Sequence, residues 1–511
     1  MVLAVAGAVL VIAALLPILS LVAELPATGA AGLGVLGHAR PWELLLRSGG
    51  LSAAVTAGAI GVGAPLGILI ARTDLPGRRG LWFLHLFPMF LPPFVLALGW
   101  FHLLGRSGAL GSEATARAFF SEAGVLWVLW LAFAPVCASL VALSLLGLDA
   151  SLESAARLVA SPGRVATRIL LPAAAPAIVL SGIVVFALAI SELAVPMFLR
   201  VDVFPAAVFA RLGGIDYAPG EAFALALPLL PLALLLLFLE RRYVGPRSFA
   251  VAGLRGMSRD PLALGRWRPV ATLAAWSLVL LSLAPLLVLL VRAARGGGLR
   301  DVLHWLGRAP LNSLASGAIA ATVIAALGLV LGHAAARRIR GATTLDALSM
   351  LAFVTPAPIL GVGLIAVWNR GWTQAIYASL GILVVGFIAR YTVVGLRAVS
   401  SVVLQSPLDL EESAAVAGAR FLRRLGRIVL PLNLRGVVGG WLLAFVFCLR
   451  DLETAVLFYP AGREPLTVRL FTLEANGPPS VVAALAVVQV GLTAAVLALG
   501  AFVLQPRRGS Q

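Results

Sequence analysis

Two segments of this chain, residues 153–172 (ESAARLVASPGRVATRILLP) and 412–431 (ESAAVAGARFLRRLGRIVLP), match in register across an offset of 259. Both begin Glu-Ser-Ala-Ala. Both place Ile three residues before a closing Pro, as Ile169 with Pro172 and Ile428 with Pro431, and both put Leu directly before that Pro. The repeat extends further: Ser48 with Ser313, Arg72 with Arg337 and Pro93 with Pro358 each differ by 265, so the intervening loops have changed length. A chain duplicated in this way is built as two related halves, not as one undivided domain.

What surrounds the repeats decides the medium. Only 12% of the chain is charged and 61% is hydrophobic, where soluble domains carry about 25% charged residues. Apolar runs of spanning length recur near 1–24, 50–71, 81–104, 123–147, 173–199 and 221–239, and again near 270–291, 312–336, 345–368, 377–398, 433–449 and 480–504. The expected fold class is therefore an all-α polytopic membrane protein with about twelve transmembrane helices in two homologous six-helix halves. Residues 1–242 form the first repeat and 269–511 the second. Residues 243–268, with Arg247, Arg255, Arg259, Arg266 and Arg268, are too polar to span and read as a basic linker. The start of the chain lacks the basic region of a signal peptide, so a retained first span is expected. Arg residues favour alternate loops, among them Arg72, Arg78 and Arg79, the linker, and Arg337, Arg338 and Arg340. That bias puts the linker, both duplicated segments and both termini on the cytoplasmic side.

The basic balance of +17 does not indicate nucleic acid, because the Arg residues punctuate apolar segments and form no single face. All 39 basic residues are Arg. A phosphate-binding loop needs Lys, so no conventional nucleotide site is expected in this chain. Cys137 and Cys448 sit in apolar runs and suggest no disulfide framework. His38, His85, His102, His304 and His333 are scattered without metal-ligand spacing and read as ordinary packed or interfacial residues. No metal or cofactor is expected on the chain itself.

Each duplicated segment begins as a helix-compatible stretch, with Asp149 and Ser151, or Asp409, available to cap it. Small residues let another surface approach the backbone, and Arg157, Arg164, Arg168, Arg420, Arg423, Arg424 and Arg427 offer donors to carboxylates or lipid phosphates. A single such segment reads equally as an amphipathic helix resting on headgroups. Two in register suggest a duplicated docking element.

The pattern Glu-Ala-Ala, three residues, Gly, nine residues, Ile-x-Leu-Pro resembles the signature of permeases in binding-protein-dependent ATP-binding-cassette importers. The second copy carries it at Glu412, Ala414, Ala415, Gly418, Ile428 and Pro431, with Ser413 in place of the first Ala. The first carries it at Glu153, Ala155, Ala156, Ile169 and Pro172, and departs at the Gly position, which is Val159. Two permease units in one chain are similar to the ferric-iron-type permeases. The resemblance implies the type I importer fold, with coupling segments at 149–172 and 409–431 seated on two copies of a cytoplasmic ATPase subunit. ATP would be held by that partner, and a soluble binding protein would deliver the solute to the outer face. The implied location is the bacterial cytoplasmic (inner) membrane, with lipid and no nucleic acid as a further partner. Relatives for thiamine, polyamines and phosphonates share the signature, so those solutes are alternatives to ferric iron.

Glu192 and Asp451 are also 259 apart, each twenty residues after its motif Pro. Twenty helical residues rise about 30 Å, so both acids are expected at the outer end of a span. With Arg450 and Glu453 they form a candidate path or outer gate. A carboxylate near hydrocarbon needs water or a partner. An interfacial charge facing water is the plainer reading. The same acids are what an ion-coupled secondary transporter would use. A membrane enzyme would need a catalytic constellation that the sequence does not show.

Overall fold

The computed structural model describes residues 2–24, 32–148, 158, 160–213, 219–244 and 261–505. Among these, nine helices are long and apolar enough to cross a membrane, or twelve if each of three bent pairs is one span. They are α1 (Val2–Ala23), α2 (Ala39–Arg72), the bent pair α3 and α4 (Arg78–Phe90, Pro93–Leu104), α5 (Glu122–Leu146), α6 (Pro162–Ser191), α7 (Gly220–Tyr243) and α8 (Gly265–Arg295). The second series is α9 (Ala309–Ala336), the pair α10 and α11 (Ala342–Val354, Ala357–Trp368) and α12 (Gly381–Val403). After it come the short α13 (Asp409–Val416), the pair α14 and α15 (Phe421–Leu432, Leu434–Arg450), and α16 (Pro479–Leu504). Every apolar run read from the sequence corresponds to one of these, so the chain is an all-α polytopic membrane protein. The described residues hold a single isolated β-bridge, Thr73 with Leu262.

Proline sets two of the breaks. Leu91 and Thr355 are both extended and both precede a Pro, whose ring disfavours helix in the residue before it. The chain turns there by 101° between α3 and α4 and by 106° between α10 and α11. What the sequence presents as one apolar run near 81–104, and another near 345–368, is in each case a hinge of two shorter helices.

Two close helix crossings are built alike. On α2, a Cβ added to Gly63 would lie 2.7 Å from the Ala134 carbonyl oxygen, and one on Gly67 2.6 Å from that of Ala138. On α9, a Cβ on Gly328 would lie 2.6 Å from the Gly395 carbonyl carbon, and one on Gly332 2.5 Å from the Leu396 oxygen. These are small-xxx-small pairs, which let membrane helices meet backbone to backbone where no hydrophobic force drives them together.

By packing, the chain forms two compact units. One comprises Met1–Ala27, Leu306–Arg469 and Val488–Gln511, the other Thr28–Trp305 and Leu470–Val487. Each thus contains the first helix of the other sequence half. In the first unit α1 meets α11, where a Cβ on Gly363 would fall 2.1 Å from the Pro17 oxygen. In the second, α8 meets α4, where a Cβ on Gly99 would fall 2.4 Å from the Pro285 oxygen. The division 1–242 and 269–511 describes the sequence repeat; the compact units describe packing. The end of the basic linker is part of the second unit: the Leu262 amide donates to the Arg72 carbonyl at 2.7 Å, and the Leu264 amide to Asp74 at 2.9 Å.

Candidate coupling segment and buried acids

The second duplicated segment contains α13, which follows α12 after a short turn. Asp409, Glu411 and Glu412 occupy its first turn, where carboxylates complement the partial positive charge of a helix start. Asp409 is not the cap; that position is Leu408, with no side-chain hydrogen bond. The helix ends in a Schellman arrangement. The Gly418 amide donates to the Ala415 carbonyl at 3.0 Å and the Ala419 amide to that of Ala414 at 2.9 Å. Gly418 has φ +78°, and no heavy atom lies within 4 Å of where its Cβ would be. The motif glycine is therefore required by the left-handed turn, and the space around it is open. Glu412, Ala415 and Gly418 are exposed and Ala414 is half-buried.

The C-terminal part of both motifs is the first turns of a span. Ala166–Leu170 and Leu425–Val429 are matching π-helical turns, 259 residues apart. Ile169 and Ile428 are half-buried, Leu170 and Val429 are buried, and Pro172 and Pro431 are exposed. Proline has no amide to give the i−4 carbonyl, and the wider turn before it accommodates the missing bond. Glu153, Ala155, Ala156 and Val159, with Asp149 and Ser151, lie outside the described residues.

One constellation was not anticipated from the sequence. Glu411, directly before the motif Glu, is buried against the end of α9. Its Oε2 is 2.6 Å from His333 Nε2, and its Oε1 accepts from Arg337 Nη2 at 2.7 Å and Nε at 3.1 Å. Arg337 also donates to the Ser406 carbonyl at 3.2 Å. The His333 ring meets Phe421 edge-on, centroids 5.7 Å apart. Burial pushes the Glu411 carboxyl up, but the hydrogen bonds and charges of His333 and Arg337 outweigh it and hold it below the usual value.

The buried acids sit where their helices stop. Glu192 follows α6, and its Oε1 accepts from the Val195 amide at 3.1 Å. Asp451 follows α15, and its Oδ1 accepts from the Thr454 amide at 2.9 Å. Both are buried. Asp451 Oδ2 also accepts from the Tyr391 hydroxyl at 2.8 Å, and Arg390 donates to Thr454 Oγ1 at 2.6 Å. Arg450 is buried with its guanidinium 5.8 Å from the Phe447 ring centre, and Glu453 is half-buried. The Ser48 and Ser313 equivalence also has a structural counterpart. Their hydroxyls accept from the Phe204 and Leu466 amides, each at 2.8 Å. Cys137 and Cys448 are buried free thiols.

No family profile matches the chain. It is 25% identical over 424 residues to the ferric transport system permease protein FbpB of Actinobacillus pleuropneumoniae, covering 76% of this chain and 61% of that protein. It is 24% identical over 408 residues to a putative ferric transport system permease, FbpB 1, of Haemophilus influenzae, covering 73% and 63%. A spermidine/putrescine permease, PotC, of Haemophilus influenzae is 28% identical over 38% of this chain and 74% of its own length. The chain is a homologue of transport-system permeases. It spans less than two thirds of the length of the two ferric-transport relatives. As an all-α polytopic permease homologue, it has its strongest described correspondence between the halves at the π-turns, at the glycine crossings and at the two acids after α6 and α15.

Proposed function

We propose that this chain is the membrane permease of an ATP-binding-cassette importer and that its solute is ferric iron. The observation that carries the solute is coverage. The relatives named for ferric transport align over 76% and 73% of this chain, which reaches into both halves, whereas those named for polyamine or aminoethylphosphonate transport align over 31–46%. In this reading α13 and its first-half counterpart are coupling segments, each received by one of two cytoplasmic ATPase subunits. The chain leaves Glu412, Ala415, Val416 and Gly418 exposed for that contact, Val416 at 91%. ATP would bind only the partner and favour one of two states of the pair, and the coupling segments would pass that preference to the spans. A soluble binding protein would supply the solute from outside. The buried carboxylate of Glu192 at the end of α6 suits a cationic cargo, whereas Asp451 at the end of α15 lies among buried Arg390 and Arg450 and adds nothing to that argument.

The test is uptake by the full chain, co-expressed with its neighbouring ATPase and binding protein and reconstituted into vesicles. ATP-dependent accumulation of labelled ferric iron, not suppressed by excess putrescine or 2-aminoethylphosphonate, is expected. Accumulation of either of those instead would replace the solute; an ATPase that never co-purifies would remove the importer reading.

A further inference from the structure

The two halves are alike in most of their packing, but the second coupling segment is held by a set of contacts for which the first half has no residues. Glu411 precedes the motif and contacts His333 and Arg337; Phe421 and Arg424 follow it, the former against the His333 ring and the latter reaching the Glu411 carbonyl at 3.5 Å. The segment is thus gripped on both sides of α13. Behind it, Asn433 breaks α14 from α15 by 85° and accepts a hydrogen bond from Ser406 at 2.7 Å, the same residue whose carbonyl takes Arg337. At the matching first-half positions the sequence has Leu152 for Glu411, Ile68 for His333, Pro162 for Phe421, Gly147 for Ser406 and Ala174 for Asn433. Only the Arg keeps its counterpart, and Arg72 donates to the Leu145 and Leu148 carbonyls. α6 correspondingly runs unbroken from Pro162 to Ser191.

We infer that Glu411, His333 and Arg337 clamp the second coupling helix to the end of α9, so that this segment transmits ATPase movement rigidly while the first does not share the device. These are positioning residues: they touch neither ATP nor solute and act through α13. The inference rests on the coupling reading above. A buried carboxylate with two basic partners favours one geometry, because displacement leaves a charged or polar group without its partners.

The experiment measures solute moved per ATP hydrolysed by the full chain reconstituted with its ATPase and binding protein. Glu411→Gln and His333→Leu are expected to lower that ratio about fivefold while the ATPase still co-purifies. His333→Gln, whose amide nitrogen can occupy the place of Nε2, is expected to keep it. This pair also decides the matter should Glu411→Gln fail to insert. An unchanged ratio in His333→Leu, or equal loss in the Leu and Gln variants, overturns the clamp and leaves the importer reading intact. Failure of the unaltered chain to bind the ATPase overturns both.

Discussion

Glu411 and His333, 78 residues apart in the chain, meet at 2.6 Å and join a helix outside the membrane spans to the last turn of a span. The titratable and charged groups facing Glu411 are His333 and Arg337 from the end of α9, with Arg424 from α14 at its backbone. Its carboxyl titrates below the ordinary 4.5. A depressed acid stabilises the fold above its unfolded-state value and loses that contribution as pH falls through the folded one. The unaltered protein should therefore exceed Glu411→Gln in thermal stability at neutral pH, and the gap should close as the pH drops below about 4.5. Melting curves in detergent from pH 7 down to about 3 check this; a gap that widened in acid would contradict it.

Gly418 adopts φ +78°, which asparagine tolerates better than a β-branched residue does. Gly418→Asn should retain most ATPase stimulation, and Gly418→Val should lose it through unwinding of the end of α13. The strain is on the order of 1–2 kcal/mol. Hydrolysis rates with and without binding protein measure it. Gly418→Leu should follow Val through the same backbone strain.

Gly67 and Gly332 leave no room for a side chain. Substituting Leu at either should cost about 1–3 kcal/mol or more and lower the yield of folded protein. Gly61, with open space around it, is the matched control: Gly61→Leu should express normally. Size-exclusion profiles after extraction separate the outcomes.

Asp451 does two jobs that substitution can part. Asp451→Asn keeps an acceptor for the Thr454 amide and can only donate its NH2 to the Tyr391 hydroxyl oxygen, while Asp451→Ala loses both contacts. Ala should destabilise by about 1 kcal/mol through the lost hydrogen bonds, and Asn by less. If the charge also serves the solute, Asn combined with Glu192→Gln slows uptake in a protein of near-normal stability. Uptake rates equal to the unaltered protein across solute concentrations would assign both acids only to holding the turns after α6 and α15.

Much of this fold is written in local sequence. A run such as 312–336 is long and apolar enough to span whatever its neighbours are, and Pro92 and Pro356 bend the chain by local sterics. The contacts that fix α13 are of another kind. His333 carries no spacing signal, and Glu411 looks like one more acid at a helix start. The available hint was a mismatch: the repeat puts Leu152 where the second half has Glu411, and Ile68 where it has His333. Reading the duplication for its differences would have exposed the cluster. The turn at Gly418 was visible as a glycine, but its reason, a positive φ, is a backbone property that no side-chain pattern records.

The exchange of first helices sets a timetable for biogenesis. α1 packs against α9 and the Gly363 region, which are encoded roughly 300 to 340 residues later, a delay on the order of tens of seconds at about 5–20 residues per second. Through that interval α1 must persist in the bilayer as a separate inserted helix. Its membrane insertion is thereby uncoupled from its tertiary packing, and a truncated nascent chain ending before α9 would hold it as an orphan open to quality-control proteases.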